Sequence, residues 1–245
     1  MQANSDNMEK ERIFPVWQYD EMQQVGTDYT DEAQVEAYDR QMQRLRDVNE
    51  ETEAIIKSIN LKRNETILEI GTGTGSFAIE AARHCEKVIA IDVSPKMLEF
   101  AQQKAQMMGI ANVEFNHAGF LTYGHTGELF DAVVSQLALH HLPDFWKIIA
   151  LRRIFEMLKD GGKLYLRDTV YSFDVDNHKN FFDNLIDRVK NAHGVEFACD
   201  FEIATREEYT TLDWIMEGLL KRAGFSIEKA DYSEGLWAVY VCSKL

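Results

Sequence analysis

The sequence is poor in cysteine and proline, and it lacks long hydrophobic runs. Its three cysteines, Cys85, Cys199 and Cys242, lie far apart without a Cys-x-x-Cys pair, and there are only three prolines among 245 residues. We therefore expect reduced thiols in a cytoplasmic protein rather than a disulfide framework. No apolar run reaches the roughly 18 residues that a membrane-spanning helix needs. Residues 1–12 are polar and lack the apolar stretch of a secretory signal.

Positive charge is scarce as well. The chain has 26 Lys and Arg against 41 Asp and Glu, a formal net charge of −15. Affinity for a phosphate backbone comes mostly from Lys and Arg, so general nucleic-acid binding is disfavoured and a small-molecule partner is favoured. Hydrophobic residues make up 45% of the sequence, enough for the core of one sizeable α/β domain or of two small ones.

From Ile67 onward, short β-like runs alternate with longer helical runs, which predicts a parallel sheet wrapped by helices. Only residues 233–235 join the last two strands, so the last strand should run antiparallel. The predicted fold is a doubly wound, seven-stranded, mostly parallel α/β sheet, and Gly109, Gly161 and Gly224 are predicted to end helices. The predicted strands are 66–70, 87–92, 113–117, 130–135, 162–170, 225–232 and 236–242, and the predicted helices are 76–83, 95–108, 144–158 and 210–222.

Two segments lie outside this alternation. Residues 1–50 are predicted to form an N-terminal helical cap or lid on a domain at 51–245, with Asp47-x-x-Glu50 as a possible helix cap. Residues 171–209 follow the fifth strand. Because ligand crevices of open α/β sheets lie outside the carboxyl ends of the strands, we expect this insertion to cover the site.

A glycine-rich turn is the most informative motif. The apolar strand Ile67-Leu-Glu-Ile70 runs into Gly71-Thr-Gly-Thr-Gly75, and a helix follows. Glycines let a ligand approach the backbone closely, and a helix start offers free N–H groups. A dinucleotide fingerprint needs glycine or alanine at position 76, where this chain has Ser76. With Glu69, the pattern is instead E-x-G-x-G-x-G.

The second predicted strand ends in Asp92, a carboxylate that can accept two hydrogen bonds from a ribose diol. Together, the glycine pattern and this acid resemble the class I S-adenosylmethionine-dependent methyltransferases. The resemblance implies a Rossmann-like methyltransferase fold, with the glycine loop against the amino-acid part of S-adenosyl-L-methionine and residues 93–97 along the adenine. The cofactor-binding residues that it implies are Glu69, Gly71, Thr72, Gly73, Gly75, Asp92, Val93, Met97, Gly119, Phe120, Gln136 and Leu137.

Three later stretches are similar to the same family. After the third strand, where an acid or a small residue usually meets the adenine amine, Gly119 and Phe120 supply no acid, which leaves that contact open or to the backbone. Residues 130–137 resemble the motif whose end, at Gln136 and Leu137, approaches the methionine moiety. Residues 158–166 resemble the turn before the fifth strand. The resemblance covers 55–245, and residues 138–144 are most similar to the quinone-biosynthesis-like branch.

The sulfonium methyl is already activated, so transfer is an in-line displacement in which alignment can contribute roughly 7–11 kcal/mol. A general base is needed only if the nucleophile arrives protonated. His140 and His141 are candidates for base or substrate contact, with a packing or capping role as the alternative. No metal site is predicted, because the sequence has no H-x-x-x-H or cysteine cluster. The predicted substrate-contacting residues, each with core packing or ion pairing as its alternative, are Tyr19, Tyr29, Tyr38, His141 and Arg167.

The sequence thus predicts methyl transfer from S-adenosyl-L-methionine to a small molecule. An RNA or protein methyltransferase stays an alternative and would require a basic face. A non-catalytic protein that binds S-adenosylmethionine shares the glycine loop and also stays open. A nicotinamide dehydrogenase ranks last, because of Ser76 and the terminal hairpin.

Overall fold

The computed structural model describes residues 15–23 and 47–245. The helices are α1 (Val48–Ile59), α2 (Ser76–Ala81), α3 (Pro95–Met107), α4 (Asp144–Met157), α5 (His178–His193), α6 (Val195–Glu207) and α7 (Asp213–Ala223). The strands are β1 (Thr66–Ile70), β2 (Lys87–Asp92), β3 (Val113–His117), β4 (Phe130–Gln136), β5 (Leu158–Tyr171), β6 (Thr211–Leu212), β7 (Phe225–Ser233) and β8 (Trp237–Lys244). Two 3-10 turns lie at Leu139–His141 and Val175–Asn177.

Seven of the eight strands lie in one sheet in the order β3-β2-β1-β4-β5-β8-β7, and the short β6 pairs with β5 off this path. The neighbouring pairs β3–β2, β2–β1, β1–β4 and β4–β5 are parallel. Strand β8 runs antiparallel to both β5 and β7. The tight link before β8 forces this reversal, because a parallel crossover needs a dozen or more residues. The predicted α/β class and the antiparallel last strand are confirmed, and the two-residue strand β6 adds an eighth strand to the seven predicted.

Each face of the sheet has its own hydrophobic core, as expected of a doubly wound fold. Side chains alternate across a strand, so Leu68 of β1 lies in one core and Ile67 in the other. The first core receives α4 and α7, and the second receives α1 and α2. The carboxyl ends of β1 to β5 therefore meet at one edge, where the predicted site residues follow the strands.

Local capping signals are confirmed at two helices. The Asp47 carboxylate accepts the N–H of Glu50 at 3.0 Å at the start of α1. The Ser94 hydroxyl accepts the N–H of Met97 at 3.3 Å, and Pro95 occupies the first turn of α3. Such caps satisfy N–H groups that have no partner inside the helix.

Three boundaries were predicted incorrectly. Helix α4 ends at Met157, so Gly161 does not cap it; with φ +77°, Gly161 lies in β5 where the pairing with β4 shifts register. The last helix begins at Asp213 rather than residue 210, because Thr211 pairs with Val170 of β5. The insertion at 171–209 contains α5 and α6, which no helix prediction covered. Within the described residues, no helix has the length and apolar character needed to span a bilayer.

Candidate active site

The glycine loop between β1 and α2 has left-handed backbone at Gly71, Gly73 and Gly75, with φ of +77°, +52° and +72°. A Cβ on Gly71 would lie 2.5 Å from the Cβ of Ala138, and one on Gly75 would lie 2.8 Å from the Cβ of Ala101. These two glycines are required by packing. A Cβ on Gly73 would meet nothing within 4 Å, so the backbone there is open to a ligand.

Asp92, at the carboxyl end of β2, holds this loop in place. Its Oδ2 accepts the N–H of Gly73 at 2.8 Å, and its Oδ1 accepts the N–H of Ser94 at 2.8 Å. Burial raises the pKa of Asp92, and the N–H donors of Ser94 and Gly73 oppose that shift. The carboxylate thus lies between the β1 and β2 loops, where it could bind a diol.

Glu69 is buried beneath the same loop. The hydroxyl of Thr72 donates to its Oε2 at 2.6 Å. Burial raises the pKa of Glu69 to about 8, and the nearby charge of Asp92 adds to the shift. At neutral pH Glu69 is therefore mostly protonated, and Asp92 supplies the negative charge of this region.

The β3 end continues the crevice. The His117 Nε2 lies 2.9 Å from the backbone oxygen of Val93, which ties the loop after β3 to the loop after β2. Met97 is buried next to this point, at the start of α3. Phe120 is buried in the core, so only its backbone can contact a ligand in the site. Its carbonyl oxygen accepts a hydrogen bond from Nε of Arg153 at 3.0 Å.

Sequence reasoning missed Glu21, which the structure places beside Gly119. The Oε1 of Glu21 accepts the N–H groups of Leu121 and Thr122, at 2.8 and 2.7 Å. The available signal was Gly119 itself, a residue without a side chain at a place where the family often has an acid. The partner lies about a hundred positions away, so no local pattern could identify it.

The other side of the crevice is formed by the 3-10 turn after β4. At the end of β4, beyond Gln136, Leu137 has φ +54° and donates its N–H to the Arg167 carbonyl at 2.8 Å. The turn then brings His140 and His141 to the carboxyl ends of β4 and β5. Its start contacts the glycine loop, because Ala138 packs against Gly71.

His140 is buried between two carboxylates. Its Nδ1 is hydrogen-bonded to Oδ1 of Asp168 on β5, and its Nε2 lies 3.3 Å from Oε2 of Glu208. Burial by itself lowers the pKa of His140, but Asp168, followed by Glu208, outweighs it, so the net shift is upward. The two carboxylates therefore favour the protonated form of His140.

His141 differs from its neighbour. Its Nδ1 is buried without a hydrogen-bond partner among the described residues and lies 4.0 Å from Oε1 of Glu208. Burial and the charge of His140 lower the pKa of His141. Tyr19 donates its hydroxyl to the His141 carbonyl at 3.2 Å and packs edge-on against Tyr209. Burial and the charge of His140 thus favour the neutral form of His141, whose Nδ1 could accept or donate a hydrogen bond according to its tautomer.

We call His140, His141, Asp168 and Glu208 the histidine cluster. Glu208 and Tyr209 come from the end of the insertion, and sequence reasoning missed them. Of the other predicted substrate residues, Arg167 forms an ion pair with Glu51 at 2.9 Å, the pairing considered as its alternative role. Tyr29 and Tyr38 lie outside the described residues.

Three members of the cluster have a donor set that a metal ion could use. One ligand atom each from His140, His141 and Glu208 lies within 4.8 Å of the others. Asp168 would orient the His140 ring, as carboxylates do behind metal-bound histidines. The sequence-based expectation of no metal remains a prediction.

Comparison with known proteins places this geometry in a family. A model for a methyltransferase domain matches residues 67–162. An uncharacterized methyltransferase of Geobacillus kaustophilus is 29% identical over 205 residues, covering 84% of this chain and 88% of that protein. A demethylmenaquinone methyltransferase of Oceanobacillus iheyensis is 31% identical over 117 residues, covering 46% and 48%. A solved S-adenosylmethionine-dependent methyltransferase from Aquifex aeolicus has a TM-score of 0.62 at 17% identity, covering 88% of this chain and 99% of that one.

The sheet order and the glycine loop agree with the Rossmann-like fold of the solved methyltransferases, and residues 67–162 match a methyltransferase domain. The domain match and the relatives indicate an enzyme that uses S-adenosyl-L-methionine as its cofactor.

Proposed function

We propose that the enzyme methylates a small molecule that binds against the histidine cluster, while the glycine loop and Asp92 hold the cofactor. The observation that carries this proposal is the buried Nδ1 of His141 at the carboxyl ends of β4 and β5, which has no hydrogen-bond partner in residues 15–23 and 47–245. A buried polar nitrogen without a partner is costly unless a ligand satisfies it. With its pKa lowered to about 3, His141 is neutral and could hydrogen-bond an acceptor at this atom, but it is a poor base.

The relation between the two halves of the crevice supports this placement. Gly71 packs directly on Ala138, and His140 follows two residues later. The cofactor supplies an electrophilic methyl group when bound. A nucleophile beside the cluster would therefore lie next to the loop proposed for the amino-acid part of the cofactor.

The charges of the cluster favour a neutral or cationic acceptor. Asp168 and Glu208 together outnumber the single imidazolium of His140, and the net charge of the chain is −15. Burial raises the pKa of Glu208, which shows how few solvent contacts this carboxylate retains. A second anion in this place would be repelled, whereas an amine or a hydroxyl would be tolerated.

His141 would orient the acceptor atom through a hydrogen bond, because a pKa lowered to about 3 makes it a weak base. When bound, the cofactor would supply an activated methyl group, and an acceptor that arrives deprotonated, such as a neutral amine, would need no general base. His140 would be a positioning residue, because Asp168 and Glu208 occupy both of its nitrogens. The predicted domain organisation fits this scheme: the insertion at 171–209 supplies Glu208 and would cover the acceptor.

A panel of acceptors tests the proposal. The full chain is incubated with S-adenosylmethionine and with amines, phenols, thiols, carboxylates, a structured RNA and an unfolded protein, and release of S-adenosylhomocysteine is measured. We expect turnover with a neutral or cationic small molecule. Turnover with RNA or protein alone would contradict the proposal, and tight cofactor binding without any turnover would favour the non-catalytic alternative.

We also propose a cytoplasmic location. Its support is the presence of three free cysteines, two of them buried. Fractionation of the native host cells would test it, and recovery in an extracellular fraction would contradict it.

A further inference from the structure

Glu21 is a buried acid that contacts the loop after β3 at the crevice, although it is remote from that loop in sequence. Its Oε1 accepts three hydrogen bonds: from the N–H of Leu121 at 2.8 Å, from the N–H of Thr122 at 2.7 Å and from the Thr122 hydroxyl at 2.8 Å. The guanidinium of Arg153 donates hydrogen bonds to two carbonyl oxygens of the same loop, from Nε to Phe120 at 3.0 Å and from Nη2 to Tyr123 at 2.5 Å. The loop after β3 is thus held from both sides.

The second carboxylate oxygen is in a different situation. Oε2 of Glu21 is buried and has no hydrogen-bond partner among the described residues. It lies against Gly119, where an added Cβ would be 2.5 Å away. Gly119 does not have left-handed backbone, so the glycine is needed for space and not for conformation. Position 119 therefore has no side chain, and the carboxylate of Glu21 fills the space that a side chain there would occupy.

The order of the strand ends relates this oxygen to a part of the cofactor. Gly73 follows β1, Asp92 ends β2, and Gly119 follows β3, which is next to β2 in the sheet. In S-adenosylmethionine the ribose lies between the amino acid and the adenine. With the amino acid at Gly73 and the ribose at Asp92, the next group toward β3 is the adenine, whose exocyclic amine is a hydrogen-bond donor.

We propose that Oε2 of Glu21 accepts a hydrogen bond from the adenine amine and makes Glu21 the residue that selects an adenine nucleoside. The contact would give the buried oxygen the donor that the described residues do not supply. It would also explain why position 119 carries no acid of its own. This inference rests on the established cofactor and is independent of the methyl acceptor.

Substitution of Glu21 by Gln gives the sharpest test, because the three donors at Oε1 fix the orientation of the amide. They require an acceptor, so the Gln oxygen would stay there and the amide nitrogen would take the place of Oε2. That position would change from acceptor to donor. Calorimetry on the full chain would compare S-adenosylhomocysteine with S-inosylhomocysteine, in which a carbonyl oxygen replaces the amine.

We expect the wild-type chain to prefer the adenine form by at least about tenfold, since one charged hydrogen bond is at stake. E21Q should bind the adenine form about tenfold or more weakly and should lose or invert the preference. G119A, whose Cβ would displace the carboxylate, should weaken the preference similarly. D20N changes the neighbouring residue, whose carboxylate accepts the N–H of Met22 at 3.2 Å, but not the Glu21 carboxylate, and it should keep the wild-type ratio.

Two results would overturn the proposal. One is a wild-type chain that binds both nucleosides equally, which needs no variant and so does not depend on folding of the mutants. The other is E21Q with the wild-type ratio, which would reduce Glu21 to a structural link between two loops. Failure of the chain to bind either ligand would instead contradict the cofactor assignment, whereas a missing methyl acceptor would leave the binding ratio unaffected.

Discussion

The two halves of the crevice are built by different means. In the half proposed for the cofactor, Gly73 and Ser94 contact Asp92 through backbone N–H groups, all within 22 positions of one another. In the half proposed for the acceptor, His140, Asp168 and Glu208 meet through side chains from three separate segments. Backbone contacts tolerate few alternatives and suit a ligand shared by a whole family. Side-chain contacts can change independently and suit a substrate that differs between enzymes.

The largest expected effect is a loss of cofactor binding. Asp92→Ala should weaken S-adenosylhomocysteine binding about 100-fold or more, because two charged hydrogen bonds to the ribose, each about 1.5–3 kcal/mol, are removed. Calorimetry measures the change. Asp131→Asn is the matched control, since Asp131 also accepts a backbone N–H, from Thr66 at 2.9 Å, but near the opposite end of the sheet. An Asp92→Ala chain that binds like this control would refute the role of Asp92.

The next effect should change turnover without changing cofactor binding. His141→Gln should lower kcat by about tenfold, because one hydrogen bond that orients the acceptor is lost, and should leave the Kd for S-adenosylhomocysteine unchanged. Turnover with the acceptor from the panel and calorimetry give the two values. His125→Gln is the control, because His125 bonds the Glu128 carbonyl in the loop between β3 and β4. A kcat within a few-fold of wild type would mean that His141 only shapes the pocket.

The smallest effect concerns stability in the cofactor half. The folded pKa of Glu69, about 8, lies above the ordinary value of 4.5, so its contribution to stability is complete below pH 4.5 and is lost as the pH rises toward 8. The melting temperature of the wild-type chain should therefore fall over that interval, and Glu69→Gln should flatten the fall. Glu65→Gln, at the other end of β1, should leave the slope unchanged. Parallel curves for all three chains would contradict a protonated Glu69.

Sequence reasoning recovered what depends on neighbours along the chain. The strand, the glycine turn and the helix start fall within residues 67–76, and Asp47 and Ser94 cap helices three residues ahead. It missed Glu21 and Glu208 because each joins partners brought together only by the folded sheet. It also missed α5 and α6, since no strand alternation marks an insertion as helical.

The most direct test of the central claim is a crystal structure of the chain with S-adenosylhomocysteine. We predict the homocysteine at Gly73, the ribose hydroxyls on Asp92, the adenine amine at Glu21 and the sulfur facing the histidine cluster. A ligand bound away from Asp92, or one whose sulfur faces away from His141, would contradict the account.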